Sequence, residues 1–211
     1  MTLLVAIDGP GGAGKSTVSR KVAERLQARH LDTGAFYRAA TLVVLDVGAD
    51  PFDSDAVMAA IEGREVDQVG GRTYLDGRDV SAEIRSDAVT AVVSAVAAHP
   101  PLRRQMVAAQ QRWVEREGGR AVVEGRDIGT VVFPDAHLKV FLDADPAVRA
   151  ARRSGESGGV VDRVAEALRR RDDFDSRRTV SPLRPADDAV VIDTSDLTID
   201  QVVDRIIGLL P

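Results

Sequence analysis

The chain contains 211 residues, of which 44% are hydrophobic and 29% are charged. That balance predicts one compact globular domain spanning residues 1–211, and it excludes a disordered or fibrous protein. A formal net charge of −5 argues against a general nucleic-acid-binding protein, because such proteins usually present an excess of basic residues. Cysteine is absent, which excludes disulfide bonds and cysteine-based zinc sites, and the three histidines lack metal-ligand spacing.

The apolar segments are too short for a membrane helix, which needs roughly 20 consecutive apolar residues. The first of them, Leu3–Ile7, is also too short for a signal peptide, so we expect the mature chain to begin at Met1. We therefore expect a cytoplasmic protein without a membrane partner. No long exposed apolar stripe is evident, and this favours a monomer.

The predicted elements alternate between strands and helices. Leu3–Ile7 is uniformly apolar, as in a strand buried on both faces of a parallel sheet, and Ser16–Ala28 has apolar residues at helical spacing. Further strands are predicted to end at Leu31-Asp32 and to cover Ala121–Val123, Leu138–Leu142 and Ala189–Ile192, and further helices to cover Ala35–Val47 and Ile199–Leu210. This order predicts an α/β fold with a doubly wound parallel sheet.

Two segments interrupt the alternation. Short alternating runs within residues 63–84 are joined by Gly70-Gly71 and Asp76-Gly77, dipeptides that favour tight hairpin turns, so a small antiparallel insertion is predicted there. The stretch Ser154–Gly159 is rich in glycine and serine and is flanked by arginines. It is either a plain linker or part of a short mobile lid over residues 149–162.

A phosphate-binding motif joins the first predicted strand to the first predicted helix. The run Gly9-Pro10-Gly11-Gly12-Ala13-Gly14-Lys15-Ser16 matches G-x-x-x-x-G-K-[ST]. Glycines allow backbone amides to close around phosphate oxygens, Lys15 reaches the β- and γ-phosphates, and the Ser16 hydroxyl ligates Mg²⁺. The predicted cofactor is therefore Mg²⁺ with ATP, and the predicted ATP-binding residues are Gly9, Pro10, Gly11, Gly12, Ala13, Gly14, Lys15, Ser16 and Thr17.

Elimination narrows the class of P-loop protein. A GTPase needs an Asn/Thr-Lys-x-Asp guanine motif, and this chain has neither an asparagine nor a Thr-Lys pair. ATP-driven motors and transporter subunits are ordinarily longer. A small-molecule kinase remains, and its acceptor must be inferred from other groups of charged residues.

The first two of these groups follow apolar strands. Asp32, Thr33, Tyr37 and Arg38 follow the second strand and either border a ligand crevice or simply cap a helix. In Glu124–Thr130 the carboxylate is placed to steer the water shell of magnesium and Arg126 to meet transferred phosphate, unless the segment is only a turn with a local ion pair.

The third group lies on a predicted helix. Arg171, Asp175 and Arg178 fall at i, i+4 and i+7 on one helical face, which either binds the acceptor or is a solvated, salt-bridged surface. Beside the glycine-rich stretch, Arg149, Arg152 and Arg153 are candidates to supply charge to the transferring phosphoryl group, although some of them can equally be solvated.

Five motifs occur in register along the chain: I-D-G-P-x-G-A-G-K, L-D-[ST]-G-A-x-Y-R, G-R-D-[IM]-G-T-V-V-F-P, R-D-x-x-D-x-x-R, and D-[ST]-[ST] as Asp193-Thr194-Ser195. With all five, the chain resembles the bacterial cytidylate kinases over essentially its whole length. The resemblance implies a P-loop NTPase fold of the nucleoside monophosphate kinase type with an antiparallel insertion. It also implies transfer of the γ-phosphoryl group of Mg·ATP to CMP or dCMP.

The resemblance also implies roles for individual side chains. Arg38, Arg126 and Arg178 would hold the phosphate of the acceptor. The remaining implied contacts are to the cytosine edge from Ser94, Arg103 and Asp127, to the ribose from Arg171 and Asp175, and to the monophosphate site from Thr33 and Tyr37. The implied catalytic residues are Lys15, Arg38, Arg126, Arg152, Arg153 and Arg178, and the implied metal ligand is Ser16.

Other hypotheses stay open at this point. The acceptor of a P-loop kinase could be UMP or a shikimate-like small molecule, and a non-catalytic ATP-dependent regulator with a basic face is an alternative from a different class. Glu124 stands where many relatives have aspartate, so its role toward the metal is open.

Overall fold

A computed structural model describes the backbone of residues 2–210 and, within that range, all side chains except those of Glu156 and Ser157. The helices and strands in chain order are β1 (Leu3–Asp8), α1 (Lys15–Arg25), β2 (Arg29–Asp32), α2 (Thr33–Asp46), α3 (Ser54–Ile61), β3 (Val66–Val69), β4 (Arg72–Leu75), β5 (Arg78–Asp79), α4 (Asp87–Val96), α5 (Pro100–Arg116), β6 (Arg120–Gly125), β7 (Leu138–Asp143), α6 (Pro146–Ser157), α7 (Val161–Ser176), β8 (Val190–Asp193) and α8 (Ile199–Ile207). Helical turns also occur at Glu83–Arg85 and Ile128–Val132.

The chain forms two compact units. The first unit contains the residues up to His30 and those from Glu117 onward, and the second unit is Leu31–Arg116. The chain leaves the first unit within β2 and returns to it just before β6. At these two points the Arg29 Nε atom lies 3.1 Å from the Glu117 Oε2 atom in an ion pair of the first unit.

A five-stranded sheet in the order β2-β6-β1-β7-β8 organises the first unit. Strand β1 pairs in parallel with both β6 and β7, and β7 pairs in parallel with β8. Val5, Ala6 and Ile7 are consecutive and fully buried, so β1 is covered on both faces. The predicted parallel α/β sheet is confirmed. Strands β1, β6 and β7 extend one to three residues beyond the apolar runs, and β8 is shifted by one residue.

Helices α1 and α8 flank this sheet and share one core with it. Val18 and Val22 of α1, four residues apart, pack in a cluster with Val202 and Ile206 of α8 and with alternate residues of β1 such as Val5. Four-residue spacing puts side chains on one helical face, and two-residue spacing puts them on one face of a strand. The apolar stripes of the two helices therefore meet the same side of the sheet.

The second unit contains the predicted antiparallel sheet, in the order β3-β4-β5. Val69 pairs with Arg72 across Gly70-Gly71, and Leu75 pairs with Arg78 across Asp76-Gly77. All four turn residues have positive φ, as type I′ turns require. The two dipeptides thus form the hairpins that the sequence predicts.

Gln68 fastens this small sheet to the start of α2. Its side-chain amide donates to the Asp32 carbonyl at 2.7 Å and accepts from the Asp32 amide at 3.1 Å, and its own carbonyl accepts from Trp113 Nε1 at 2.9 Å. Asp32 in turn caps α2 by accepting from the Ala35 amide. These bonds fix the backbone from which Thr33, Tyr37 and Arg38 project.

The glycine-rich stretch of the first unit is not the plain linker that the sequence allows, and the alternative of a lid over residues 149–162 stays a prediction. The backbone of residues 154–157 is the last turn of α6 rather than an irregular linker, and Gly158, with φ of 70°, ends the helix. The Gly158 amide donates to the Ser154 carbonyl at 2.8 Å, a C-terminal cap that favours glycine. The non-helical connection to α7 is therefore only residues 158–160. Across residues 2–210, no helix has both the length and the apolar character needed to cross a bilayer.

Replacing Gly9 by alanine is expected to cost more than about 3 kcal/mol of unfolding free energy, because a Cβ atom there would lie 2.0 Å from the Leu142 carbonyl oxygen. Gly48→Ala is the matched control: it also has positive φ but no atom within 4 Å of the added carbon, so about 1 kcal/mol of backbone strain is expected. Urea denaturation measures both costs. Equal losses would contradict a steric requirement at Gly9.

Candidate active site

The phosphate-binding loop connects β1 to the first turn of α1. The N-cap of α1 is Gly14, which has no side chain to cap the helix, so the helix terminus is suited to an anion. Lys15 is buried and donates from Nζ to the Pro10 carbonyl at 2.7 Å. Burial, followed by repulsion from Arg126, lowers the pKa of Lys15 to about 7. A polyanion bound in the loop would offset both effects.

Ser16 and Glu124 meet at the predicted magnesium site. The Ser16 hydroxyl donates to Glu124 Oε2 at 2.8 Å, and His30 Nε2 lies 3.1 Å from Glu124 Oε1 and 3.0 Å from Ser19 Oγ. A hydroxyl and a carboxylate are hard oxygen ligands that suit Mg²⁺, so the residues fit the ion. Among the described side chains, no group of three or more His, Cys, Asp or Glu could hold a metal ion by itself.

Glu124 is ionised despite its burial. Burial alone would raise its pKa, but hydrogen bonds from His30 and Ser16 and the charge of Lys15 outweigh that effect, and the pKa is lowered overall. The carboxylate that adjoins Ser16 is therefore negatively charged at neutral pH.

A buried carboxylate brings together three of the arginines that the sequence singles out in the first unit. Asp175, which is 1% exposed, accepts from Arg126 Nε at 3.2 Å and from Arg178 Nη2. Arg171 Nε lies 3.9 Å from the same carboxylate. Arg126 also donates to the Gly9 carbonyl at 2.8 Å, so the cluster lies directly against the phosphate-binding loop.

Arg149 and Asp172 hold the backbone of Gly11 from both sides. Arg149 donates to the Gly11 carbonyl at 3.1 Å, and the Gly11 amide donates to Asp172 Oδ1 at 3.3 Å. The two side chains also form an ion pair with each other. Helices α6 and α7 are thus joined to the loop through one glycine.

Arg152 and Arg153, the other two arginines of α6, are candidates to place positive charge beside the transferring phosphoryl group. Arg152 donates to the Thr194 hydroxyl at 3.0 Å and to the Thr194 carbonyl at 2.7 Å, which links it to the D-[ST]-[ST] motif. Arg153 lies one residue further along the same helix. Their catalytic roles stay predictions.

Asp127 is buried in the first unit, and five further predicted residues lie in the second unit. Thr33 and Tyr37 are buried on α2, and Arg38 donates to the Ile84 carbonyl at 3.0 Å and to the Thr90 hydroxyl at 2.9 Å. Arg103 of α5 is buried with its guanidinium carbon 5.1 Å from the centre of the Tyr37 ring. Ser94 is half-buried on α4. The structure thus brings Tyr37 and Arg103 together within this unit.

Sequence reasoning assigned no role to three residues that contact this region of the first unit. They are His30 against Glu124, Asp172 against Gly11, and Asp8, whose carboxylate accepts from the Ile128 and Gly129 amides at 2.8 Å each. Asp8 and Asp172 belong to the quoted motifs, so a search for motif residues without a role would have found them. No local pattern marks His30.

A strand, a glycine-rich loop and a helix carrying Lys15 and Ser16, with arginines against the loop, define a P-loop phosphotransferase. The cytidylate kinase family model matches residues 5–211. The cytidylate kinase of Rhodococcus opacus (strain B4) is 53% identical over 98% of this chain and 93% of its own length. That of Mycobacterium avium (strain 104) is 51% identical over 99% and 95%. The chain belongs to the cytidylate kinase family and is an enzyme of the nucleoside monophosphate kinase class.

A solved structure shows the same fold at low sequence identity. An uncharacterized protein from Eubacterium ventriosum ATCC 27560 superimposes with a TM-score of 0.53 at 13% identity, covering 98% of this chain and 97% of that one. This likeness supports the architecture alone.

The pH dependence of stability is expected to contain a contribution from Asp8. Burial is the main reason that its folded-state pKa rises to about 6, which is above the ordinary value, so the folded state holds this proton more tightly than the unfolded state. The contribution of Asp8 to stability is therefore lost as pH rises from about 4 to about 6.

The difference in unfolding free energy between Asp8→Asn and the wild type isolates this contribution, because the variant has no proton to lose. As the pH rises from roughly 4.5 to 7.5, the unfolding free energy of Asp8→Asn should increase relative to that of the wild type by about 2 kcal/mol. Urea denaturation across that range measures it. A pH-independent difference would mean that Asp8 has an ordinary pKa, and a shift of the opposite sign would mean a lowered one.

Proposed function

We propose that the enzyme transfers the γ-phosphoryl group of Mg·ATP to CMP or dCMP and releases ADP with CDP or dCDP. Membership in the cytidylate kinase family supports a cytidine acceptor. The observation that carries the proposal is the position of Arg126, which binds both the Gly9 carbonyl of the phosphate-binding loop and Asp175 beside Arg178. Guanidinium groups suited to an acceptor phosphate thus lie against the loop suited to the donor.

On the donor side, the loop amides and Lys15 bind the phosphates of ATP. Ser16 and the ionised Glu124 are the residues that would hold Mg²⁺, Ser16 directly and Glu124 beside it. When bound, the ion neutralises phosphate charge. Thr17 follows in the first turn of α1 and completes the proposed donor site.

On the acceptor side, guanidinium groups bind the monophosphate and polar side chains select the base and sugar. The proposed contacts are Arg38, Arg126 and Arg178 to the phosphate, Ser94, Arg103 and Asp127 to the cytosine, Arg171 and Asp175 to the ribose, with Thr33 and Tyr37 lining the monophosphate site. Asp175 can play two parts, because its carboxylate already orients Arg126 and Arg178.

The chemistry requires no general base, because the phosphate of CMP is already ionised at neutral pH. Catalysis comes from alignment of two polyanions and from neutralisation of the charge that spreads over the transferring group. Lys15 and the arginines supply that positive charge. Arg153 and Arg152 are proposed to assist, and Arg152 must first exchange its hydrogen bonds to Thr194.

We also propose that a single chain acts in the cytoplasm. Sedimentation velocity at catalytic concentrations would give the mass of one chain, and a dimer would contradict this part of the proposal.

The function is tested by an acceptor panel. With ATP and Mg²⁺, the purified enzyme should form ADP rapidly with CMP and dCMP, less well with UMP, and hardly at all with shikimate or sugars. A higher specificity constant for UMP or for a non-nucleotide acceptor would overturn the assignment. ATP binding without turnover of any acceptor would favour a regulator.

Variants within α1 show whether turnover belongs to this loop. Lys15→Ala should lower kcat by about 10³-fold, because it removes a cation from the transferring phosphates. Lys21→Ala is the matched control: Lys21 lies on the same helix, is half-exposed and pairs with Asp200, so kcat should stay within about twofold. A folded Lys15→Ala enzyme with near-normal turnover would contradict the donor site.

Asp175→Ala should penalise both cytidine acceptors, and CMP more than dCMP. Loss of the carboxylate releases Arg126 and Arg178, which should lower kcat/KM for either acceptor by at least about 10²-fold. CMP should lose about tenfold more, because it alone offers a 2′-hydroxyl to a charged acceptor group. Steady-state kinetics with the two acceptors measure both effects.

The exposed Asp173, two residues away on α7, provides the control. Asp173→Ala should leave the ratio of kcat/KM for CMP and dCMP unchanged. If Asp175→Ala lowers kcat/KM equally for CMP and dCMP, the ribose contact is wrong.

A further inference from the structure

Asp8 is a buried carboxylate for which the proposed chemistry has no use. It ends β1, immediately before the phosphate-binding loop, and is 5% exposed. Its two oxygens accept from consecutive backbone amides, Oδ1 from Ile128 and Oδ2 from Gly129, at 2.8 Å each. Both carboxylate oxygens are therefore used to hold one short piece of backbone.

Those two amides begin the helical turn Ile128–Val132. Within the turn, the Asp127 carbonyl accepts from the Val131 amide at 2.9 Å and from the Val132 amide at 3.2 Å, and the side chain of Asp127 does not cap the turn. The first amides of any helical turn lack acceptors within it. Asp8 supplies that acceptor from a neighbouring strand, and its charge suits the amide dipoles.

An aspartate is a costly choice if capping were its only purpose. Burial raises the pKa of Asp8 to about 6, and the charge of Asp127 acts in the same direction. Serine, threonine or asparagine caps helices without burying a charge. Costly local choices of this kind are expected at functional sites rather than at ordinary turns.

The turn that Asp8 holds follows directly on two proposed acceptor-binding residues. Arg126 and Asp127 lie between the β6 residue Gly125, which pairs with Asp8, and the two amides that Asp8 binds. The carbonyl of Gly9, the residue that follows Asp8, accepts a hydrogen bond from Arg126 Nη1. Asp8 thus fixes the backbone before and after Arg126 and Asp127, and Gly9 fixes the guanidinium group of Arg126.

We propose that Asp8 is a positioning residue for the phosphoryl acceptor: its carboxylate holds the backbone after Asp127 so that Arg126 and Asp127 are oriented before the acceptor binds. The proposal rests on the proposed function, since it takes these two residues as acceptor contacts. A small displacement of groups that contact the acceptor lowers the rate strongly. If these groups become ordered only when the acceptor binds, the free energy spent on ordering them weakens its affinity.

Asp8→Asn tests the proposal with little change in shape, because an amide nitrogen cannot accept and one backbone hydrogen bond is lost. Relative to wild type, kcat/KM for CMP should fall by about 10- to 100-fold through a higher KM for CMP and a lower kcat. The dissociation constant for ATP, measured by calorimetry, should stay within about twofold. If the affinity for ATP falls by the same factor as kcat/KM for CMP, the variant is generally disrupted and the proposal is overturned.

Asp143→Asn is the matched control. Asp143 ends the neighbouring strand β7, and its carboxylate accepts from the amide of the adjacent Ala144 at 2.9 Å. Both kcat/KM and ATP affinity should stay within about twofold of wild type. If Asp143→Asn lowers kcat/KM for CMP as much as Asp8→Asn does, the effect is not specific to the turn that Asp8 holds, and the proposal is overturned.

Amide hydrogen exchange on the wild type needs no variant and decides the structural premise. Ile128 and Gly129 should be protected in the free enzyme nearly as well as with CMP bound, with Val131 and Val132 as internal references. Protection that appears only when CMP is added would overturn prior orientation. In a folded Asp8→Asn variant, faster exchange at these amides with unchanged CMP kinetics would overturn the positioning role.

Failure of the proposed function is distinguishable from failure of this inference. If the wild type does not phosphorylate CMP, the acceptor assignment fails. The exchange of Ile128 and Gly129 in the free enzyme still reports whether Asp8 holds the turn, and the kinetic comparison is then made with the best acceptor of the panel.

Discussion

The buried carboxylate of Asp175 is the contact on which the arrangement of cations in the first unit depends. Arg126 and Arg178 repel each other. Lys15 adds a further positive charge, and its pKa is lowered first by burial and then by repulsion from Arg126. A counter-charge that is 1% exposed offsets this repulsion and holds both guanidinium groups in place. A phosphate bound at the acceptor site proposed above would meet donors that are already ordered, so little of its binding energy would be spent on ordering them.

Local sequence patterns predict most of the fold, and their failures have a physical cause. Uniform apolar runs mark β1, β6 and β7 because both faces of those strands are buried, and the two turn dipeptides mark the hairpins because few residues accept positive φ. The same reasoning allows either a plain linker or a mobile lid at Ser154–Gly159, and the plain linker is wrong because α6 continues to Ser157. Packing of α6 against α7 and a cap at Gly158 outweigh the low helix propensity of glycine there.

The active site divides between what motifs encode and what folding brings together. The phosphate-binding loop is a local motif, and its chemistry is readable from eight consecutive residues. His30 and Glu124 are 94 residues apart, and Asp8 and Ile128 are 120 apart, so no spacing rule reveals those contacts. Arginine clusters are ambiguous for a related reason: Arg149 turns to Gly11 and Arg152 to Thr194, although they are three residues apart on one helix.

The ion pair between Arg29 and Glu117 marks where the chain leaves the first unit and where it re-enters it. Entry and exit at adjoining points make the intervening stretch, Leu31–Arg116, a cassette whose removal or exchange leaves the ends of the host unit within bonding reach. Tyr37 and Arg103 belong to that segment, whereas Lys15, Ser16 and Glu124 belong to the host unit. The five proposed acceptor contacts within this segment can therefore diversify during evolution by its exchange, whereas those proposed for Asp127, Arg171 and Asp175 stay in the host unit with the proposed ATP site.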